Sequence, residues 1–213
     1  MKNPAWRPYV ALGVGLLAVS SSSTIIRFAQ QAEAPSLVIA MWRVMLASLI
    51  LTLVTLERIG ELMLARRNTK ALLARGATEV GANHYPWIVL VHAAWLAALW
   101  IFGWNQEVSL AALAVYIALQ CCRIWILSTL GSRWTTRIIV LPGEPLIASG
   151  PYRYLSHPNY VIVVAEIAVL PLALHLPLLA LVFTLLNAAV LVVRIRTEVR
   201  ALSACTERVS RAS

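Results

Sequence analysis

Long apolar stretches alternate with short polar segments along this 213-residue chain. Six apolar runs stand out, and each is close to the roughly 20 residues that a membrane-spanning helix needs, although the fifth is short. The runs cover about residues 9–26, 36–56, 86–103, 108–130, 160–174 and 177–193. They are continuous rather than alternating, which favours helices over barrel strands. The pattern predicts an all-α integral membrane protein with about six transmembrane helices.

The boundary between the last two runs predicts a tight turn. Only His175 and Leu176 separate these runs. Pro177 favours the start of a new helix because proline cannot continue an existing one. The two runs therefore predict a C-terminal helical hairpin.

The polar segment after the second run predicts a helix that continues out of the membrane. Arg58 lies within one helical turn of Glu57 and Glu61, so these side chains are expected to pair. Gly76 and Gly81 then interrupt the helix before the chain re-enters the bilayer.

Composition and charge support a membrane protein of defined orientation. Charged residues make up 13% of the chain, whereas soluble domains carry about 25%. The net charge is +9 and aspartate is absent. If the N-terminus is cytoplasmic, fifteen of the 18 Lys and Arg residues fall in cytoplasmic segments, while Arg27 lies outside and Arg43 and Arg123 lie within spans. This distribution predicts that both termini are cytoplasmic, and it assigns the basic residues to orientation rather than to nucleic-acid binding.

Several kinds of chemistry lack their motifs. Cys121, Cys122 and Cys205 show no CxxC spacing. The chain also has no GxGxxG, GxxxxGK[ST], HExxH or GxSxG motif. We therefore expect no metal site, and any cofactor must be held by helix ends and loops.

A polar, aromatic and turn-rich stretch at residues 150–160 interrupts the second half of the chain, with the sequence GPYRYLSHPNY. His157 could bind or orient a ligand, and the free N–H groups of a helix that starts just after it could hold an anion. Alternatively, Tyr152, Tyr154 and Tyr160 form an interfacial aromatic belt with His157 as a solvated cap. The pattern alone leaves both interpretations open.

Three polar residues fall inside the apolar runs. Glu166 lies in the fifth run, and Arg123 and Gln120 lie in the fourth. Buried charges in a membrane need partners or a polar cavity, so Arg123 could reach Glu166, either as a structural ion pair or as part of a site. Near the C-terminus, Glu198 is expected to pair with Arg194 across one helical turn.

His84 and His92 lie eight residues apart at the start of the third run and could share a helix face. Two histidines in such a position are more often interfacial residues than metal ligands. We therefore expect an interfacial role for both.

The stretch at 150–160, followed by Glu166 and by RIRTE at 194–198, resembles the signature of the isoprenylcysteine carboxyl methyltransferase (ICMT) family, G-x-Y-x-x-x-R-H-P-x-Y. The resemblance to small bacterial members extends over about residues 50–202. It implies a membrane enzyme that uses S-adenosyl-L-methionine to methylate a carboxylate or hydroxyl of a lipid-like or prenylated substrate. It also implies a location in the bacterial inner membrane, with the active site facing the cytoplasm.

The resemblance assigns roles to individual residues. The cofactor-binding candidates are Gly150, Tyr152, His157, Pro158, Tyr160 and Glu198. Arg153 and Arg123 are the candidates for orienting a substrate carboxylate. Glu166 and Gln120 are the candidates for substrate binding. No oligomeric state is implied.

This chain departs from the family signature at several positions. Ser156 replaces the usual arginine, which removes one guanidinium from the expected site. Val199 replaces the second acid of the C-terminal pair, and Pro145 stands where eukaryotic members have a histidine. These departures keep a non-enzymatic small membrane protein, or a fragment derived from a transporter, as the alternative function.

The first fifty residues are similar to a different family. Segments such as GVGLLAVS at 13–20 and IRFAQ at 26–30 resemble the opening of drug/metabolite exporters of the EamA type. We therefore predict an N-terminal transmembrane segment at 1–48, a methyltransferase domain at 49–202 and a basic tail at 203–213.

Overall fold

The computed structural model describes residues 36–145 and 147–212, with side chains described as far as residue 200. Five long helices and one small two-stranded ladder make up this part of the chain. The helices are α1 (Ser36–Ala74), α2 (Tyr85–Gly103), α3 (Leu110–Leu130), α4 (Pro158–Ala173) and α5 (Pro177–Ala212). The strands are β1 (Thr78–Val80) and β2 (Ile138–Val140). Single 3-10 turns cover Ala82–His84, Gly131–Arg133 and Gly150–Arg153.

The predicted class, an all-α integral membrane protein, is confirmed. Four helices of the described chain are long and apolar enough to cross a bilayer, over Leu37–Ala74, Ala82–Gly103, Leu110–Arg133 and Pro177–Arg200. Many of their large apolar side chains face outward, such as Leu53, Ile101, Ile117 and Leu185, as lipid contact requires. The first predicted run, residues 9–26, lies outside the described residues.

Helix α4 is the short fifth run of the prediction. At 16 residues it is about 24 Å long, less than the roughly 30 Å of a bilayer's hydrocarbon core. One face of the helix is instead buried against the other helices, with Ile162, Ile167 and Leu170 among its buried residues. This helix therefore forms the centre of the bundle.

The predicted hairpin joins α4 to α5. His175 adopts a left-handed backbone conformation with φ 54°, and Pro177 begins α5. The N–H of Leu176 donates to the carbonyl of Pro171 at 2.8 Å, which closes the turn. The two-residue separation seen in the sequence thus corresponds to a tight turn between antiparallel helices.

Helix α1 continues well past its apolar part, as predicted. It runs without interruption to Ala74, so the predicted domain boundary at residue 48 falls inside it. Gly76 and Gly81 follow with φ values of 88° and 69°. Such positive values favour glycine, and they reverse the chain between α1 and α2.

The β-ladder was not predicted from the sequence. Strands β1 and β2 pair antiparallel, with Glu79 opposite Ile139. Arg137 forms a salt bridge to Glu79 at 2.7 Å, which ties the two strands together. We refer to the end of the bundle that carries β1, β2 and the Gly150–Arg153 turn as the ladder end.

The apolar core fills the half of the bundle away from the ladder end. Leu51, Trp95, Leu99, Leu170 and Leu174 are almost fully buried there. The ladder half holds a smaller apolar cluster and most of the buried polar groups. The fold therefore places rigid packing at one end and polar chemistry at the other.

Candidate active site

A cavity of about 320 Å³ opens among all five helices in the ladder half of the protein. This volume lies at the lower end of the roughly 300–1,000 Å³ found for small-molecule sites. Each helix contributes a polar side chain to the lining, among them Arg58, His92, Arg123, Asn159, Asn187 and Arg194. Aliphatic side chains form most of the remaining wall.

An ionic cluster on the cavity wall joins α1, α3 and α4. Nη2 of Arg58 lies 2.9 Å from Oε2 of Glu166, and its Nη1 lies 3.0 Å from Oε2 of Glu61. Arg123 donates to the same two carboxylates, with Nη1 at 2.7 Å from Glu166. Arg58 also approaches Glu57 at 3.9 Å. The predicted pairing of Arg58 with Glu57 and Glu61, and that of Arg123 with Glu166, are both confirmed.

Three hydrogen bonds hold the guanidinium of Arg123 to the protein itself. Nε and Nη2 both donate to Glu61, and Nη1 donates to Glu166. Arg123 is 5% exposed and Glu166 is 2% exposed. The pair is therefore a buried structural ion pair, and its action on a substrate stays a prediction.

A second polar cluster surrounds Tyr160. The Tyr160 hydroxyl donates to a carboxylate oxygen of Glu198 and accepts from Nε of Arg194 at 2.9 Å. The His157 ring stacks on the Tyr160 ring with centroids 5.3 Å apart. Nη1 of Arg194 also donates to the carbonyl of Thr136 at 2.8 Å. Glu198 and Arg194, which were predicted to pair, thus meet at the Tyr160 hydroxyl.

The 150–160 stretch splits between this cluster and the end of α3. Pro158 is buried and is the first residue of α4, a position where its missing N–H costs nothing. Gly150 starts the 3-10 turn with φ 56°, and a Cβ there would lie 2.6 Å from Oγ1 of Thr129. Gly150 therefore allows the loop to lie directly against α3.

The other loop residues differ in exposure. Burial raises the pKa of Tyr152 to about 12, and the nearby Glu198 carboxylate contributes to this shift. Tyr152 therefore stays protonated at neutral pH. Arg153 is exposed and is not part of the cavity lining, and Ser156 is exposed as well.

Some buried polar atoms have no protein partner. Oδ1 of Asn159 and Nδ2 of Asn187 are buried without a hydrogen bond, and both side chains line the cavity. Nε2 of Gln120 is also buried and unpartnered, but Gln120 is not among the lining residues. Sequence reasoning missed Asn187, although a lone amide within an apolar run is a signal for a polar cavity.

His92 is a cavity residue rather than an interfacial one. Its ring lies two helical turns into α2, and its Nδ1 is 2.8 Å from the carbonyl oxygen of Ile88. His84, by contrast, lies in the 3-10 turn before α2. The eight-residue spacing therefore places the two histidines in different environments, and His92 belongs to the candidate site.

The sequence profile described as "Isoprenylcysteine carboxyl methyltransferase (ICMT) family" matches residues 112–204, which include most of α3, the 150–160 stretch, α4 and much of α5. No solved structure gives a significant match. The similarity of residues 10–50 to exporters has no support from these comparisons.

Two curated relatives are similar over most of their length. An uncharacterized protein of Bacillus subtilis, YpbQ, is 36% identical over 159 residues, which is 72% of this chain and 95% of YpbQ. An uncharacterized protein of Haemophilus influenzae is 29% identical over 152 residues, which is 68% of this chain and 88% of that protein. The profile match and the similarity to nearly all of YpbQ show that this chain belongs to the ICMT family of membrane methyltransferases.

Proposed function

We propose that this protein is an S-adenosyl-L-methionine-dependent O-methyltransferase that acts on a carboxylate or hydroxyl of a lipid-like substrate. We further propose that it lies in the bacterial inner membrane with the ladder end facing the cytoplasm. The observation that carries the proposal is the 320 Å³ cavity, which a Tyr160-centred polar cluster borders on one side and an ionic cluster on another. ICMT family members in general use this methyl donor.

The unpartnered polar atoms in the cavity fit such a cofactor. Oδ1 of Asn159 can accept a hydrogen bond and Nδ2 of Asn187 can donate one. A buried polar group without a partner costs about 1–3 kcal/mol, so a ligand that satisfies both atoms gains this energy on binding. S-adenosyl-L-methionine carries an amino group, a carboxylate and ribose hydroxyls that can do so.

Residues around Tyr160 are the candidates for holding the cofactor. His157 and Tyr160 offer stacked aromatic rings, and Glu198 offers a carboxylate that can accept from a hydroxyl or amino group. When bound, the cofactor supplies a methyl group activated by a positively charged sulfur. The protein then needs to align the acceptor oxygen with this methyl group and to exclude water.

The aliphatic part of the wall fits the tail of a lipid-like substrate. The apolar lining residues of α4 and α5 include Val163, Val190 and Leu191. Those of α1 and α2 include Ile59 and Val89. Val89 is 43% exposed and Ile59 is 50% exposed, so the cavity reaches the outer surface of α1 and α2. A tail can enter there from the bilayer.

Cofactor binding tests the proposal directly. The purified full chain in detergent should be thermally stabilised by S-adenosylhomocysteine, by about 2.7 kcal/mol at a concentration 100 times the Kd. His157→Ala and Glu198→Ala should weaken this stabilisation, while His175→Asn, at the exposed turn of the hairpin, should keep it. Near-native binding in both site variants would refute the assignment of these residues.

The methyl acceptor requires a separate experiment. Membranes that contain the protein are incubated with methyl-labelled S-adenosyl-L-methionine, and the labelled product is identified by mass spectrometry. A labelled lipid that is absent with Glu198→Ala supports the proposal. Absence of both labelled product and cofactor binding would favour the alternative, a non-enzymatic membrane protein.

A further inference from the structure

The guanidiniums on the cavity wall already donate hydrogen bonds to the protein, and two of the three are paired with carboxylates. Among the described lining residues, the guanidiniums are those of Arg58, Arg123 and Arg194. The first two share the carboxylates of Glu61 and Glu166. Arg194 donates to the Tyr160 hydroxyl and to a backbone carbonyl. A substrate carboxylate would therefore have to compete with Glu61 and Glu166 for Arg58 and Arg123.

His92 presents the opposite kind of group to the cavity. Its Nδ1 lies 2.8 Å from the Ile88 carbonyl, which can only accept a hydrogen bond, so Nδ1 carries the proton of the neutral ring. Nε2 then carries a lone pair, and it has no hydrogen-bond partner among the described residues. Because the ring lines the cavity, this lone pair is available to a ligand.

The helix geometry places His92 and the unpartnered amide of Asn187 at a similar depth in the cavity. The backbone carbonyl of Thr136 accepts from Arg194 on α5, and the side-chain hydroxyl of Thr136 hydrogen-bonds the hydroxyl of Tyr85 on α2. Because both residues reach Thr136, Tyr85 and Arg194 lie at about the same depth in the bundle. His92 lies seven residues along α2 from Tyr85, and Asn187 lies seven residues along α5 from Arg194. Both are therefore about 10 Å deeper in the bundle.

We propose that His92 is the proton acceptor of the methyl transfer and that the methyl acceptor is a hydroxyl group of a lipid-like molecule. This inference rests on the proposed function. A carboxylate is already ionised at neutral pH and needs a cation, whereas a hydroxyl needs a base. The described lining offers a base without a hydrogen-bond partner, whereas each of its guanidiniums already donates to groups of the protein.

The proposed transfer conserves atoms and charge. The O–H bond of the acceptor breaks as its proton passes to Nε2 of His92, and the oxygen forms a new bond to the methyl carbon. The bond between that carbon and the donor sulfur breaks, with its electron pair left on the sulfur. His92 releases the proton to water after the product leaves.

Several charged or titratable side chains near His92 could also affect a pH titration of a ligand in the cavity. The charged or titratable side chains that face the cavity with it are Arg58, Glu61, Tyr85, Arg123, Tyr160 and Arg194. The three arginines act electrostatically on the ring. A comparison of variants at position 92 alone keeps all six groups constant.

The first test observes proton transfer without catalysis. A 4-nitrophenol with a dodecyl chain at position 2 is bound to the full chain in detergent with saturating S-adenosylhomocysteine, and its phenolate absorbance is titrated against pH. The bound probe should ionise at a pH at least about one unit lower in wild type than in His92→Gln. His175→Asn should titrate like wild type, and empty micelles provide the baseline.

The second test compares two methyl acceptors, first with the wild-type protein and then with His92→Gln. With labelled S-adenosyl-L-methionine, 4-dodecylphenol should be methylated in preference to dodecanoic acid, and His92→Gln should lower the rate on the phenol at least about 100-fold. Identical titrations for wild type and His92→Gln, or methylation of the acid in place of the phenol, would overturn the inference. Thermal stabilisation by S-adenosylhomocysteine separates failure of this inference from failure of the proposed function. If wild type is not stabilised, the proposed function itself is refuted.

Discussion

Nη1 of Arg123 lies 2.7 Å from Oε2 of Glu166 in a part of the bundle that excludes water almost completely. Glu166 also accepts from Arg58 at 2.9 Å, so one carboxylate joins two guanidiniums from different helices, and Glu61 supplies the second negative charge. Removing one partner of a buried pair leaves charge without compensation. We therefore expect Glu166→Ala to lower the free energy of unfolding by about 3–5 kcal/mol, as measured by thermal unfolding in a fixed detergent.

A matched control comes from a more exposed pair. Arg43 and Glu107 approach at 3.5 Å with side chains that are more than one third exposed. Exposed pairs contribute about 0–1 kcal/mol, so Glu107→Ala should have little effect. Equal destabilisation by the two substitutions would show that burial of the Glu166 cluster does not determine its contribution.

The Tyr160 hydroxyl links Glu198 to Arg194 and should matter more for ligand binding than for folding. Tyr160→Phe removes this link, which we expect to raise the Kd for S-adenosylhomocysteine about tenfold, equivalent to about 1.4 kcal/mol. Tyr154→Phe is the control, since Tyr154 is 73% exposed. Calorimetric titration measures both. An unchanged Kd with lowered thermal stability would assign Tyr160 a structural role alone.

Much of the helical architecture could be predicted from the sequence. Continuous apolar runs identified α2, α3 and the hairpin, because a span must be apolar over about 20 residues and proline begins a new helix. The β-ladder was missed because β1 and β2 have only three residues each and 57 residues lie between them. Such pairing depends on tertiary contacts rather than on local pattern.

The candidate site was predicted only in part. The 150–160 stretch and the Arg123–Glu166 pair were identified because polar residues near or within apolar runs are conspicuous. His92 was misjudged as interfacial, since its helix position alone does not reveal that α5 and α1 enclose a cavity beside it. Arg153 was selected because it lies in the stretch that resembles the family signature, yet its side chain is exposed.

Asn68 anchors α1 to the turn that follows α3. Its Nδ2 donates to the carbonyls of Gly131 and Trp134 at 3.1 and 2.9 Å, and the side chain is buried. Asn68→Ala leaves these carbonyls without a donor, so we expect a loss of about 1–3 kcal/mol of stability. Lys70→Ala, on an exposed face of the same helix, should stay within about 0.5 kcal/mol. Thermal unfolding of both variants measures these losses of stability, and equal losses would contradict the anchoring role of Asn68.

Substitutions at Gly150 and Gly143 distinguish two effects of an added side chain, backbone strain and a steric clash. Both have positive φ, at 56° and 80°, but a Cβ at Gly150 would lie 2.6 Å from Thr129 whereas nothing lies within 4 Å of one at Gly143. Gly143→Ala should therefore cost only the conformational strain of about 1–2 kcal/mol. Gly150→Ala should cost about 1–3 kcal/mol more, because the loop or α3 must shift.

The contact with Thr129 predicts that the additional cost of Gly150→Ala can be rescued. Thr129→Ala removes the Oγ1 and Cγ2 atoms that the new Cβ would meet. The double variant should therefore recover the steric part and resemble Gly143→Ala in thermal unfolding. Additive effects of the two substitutions would show that the loop does not lie against α3 at this point, because non-additivity is expected only for residues in contact.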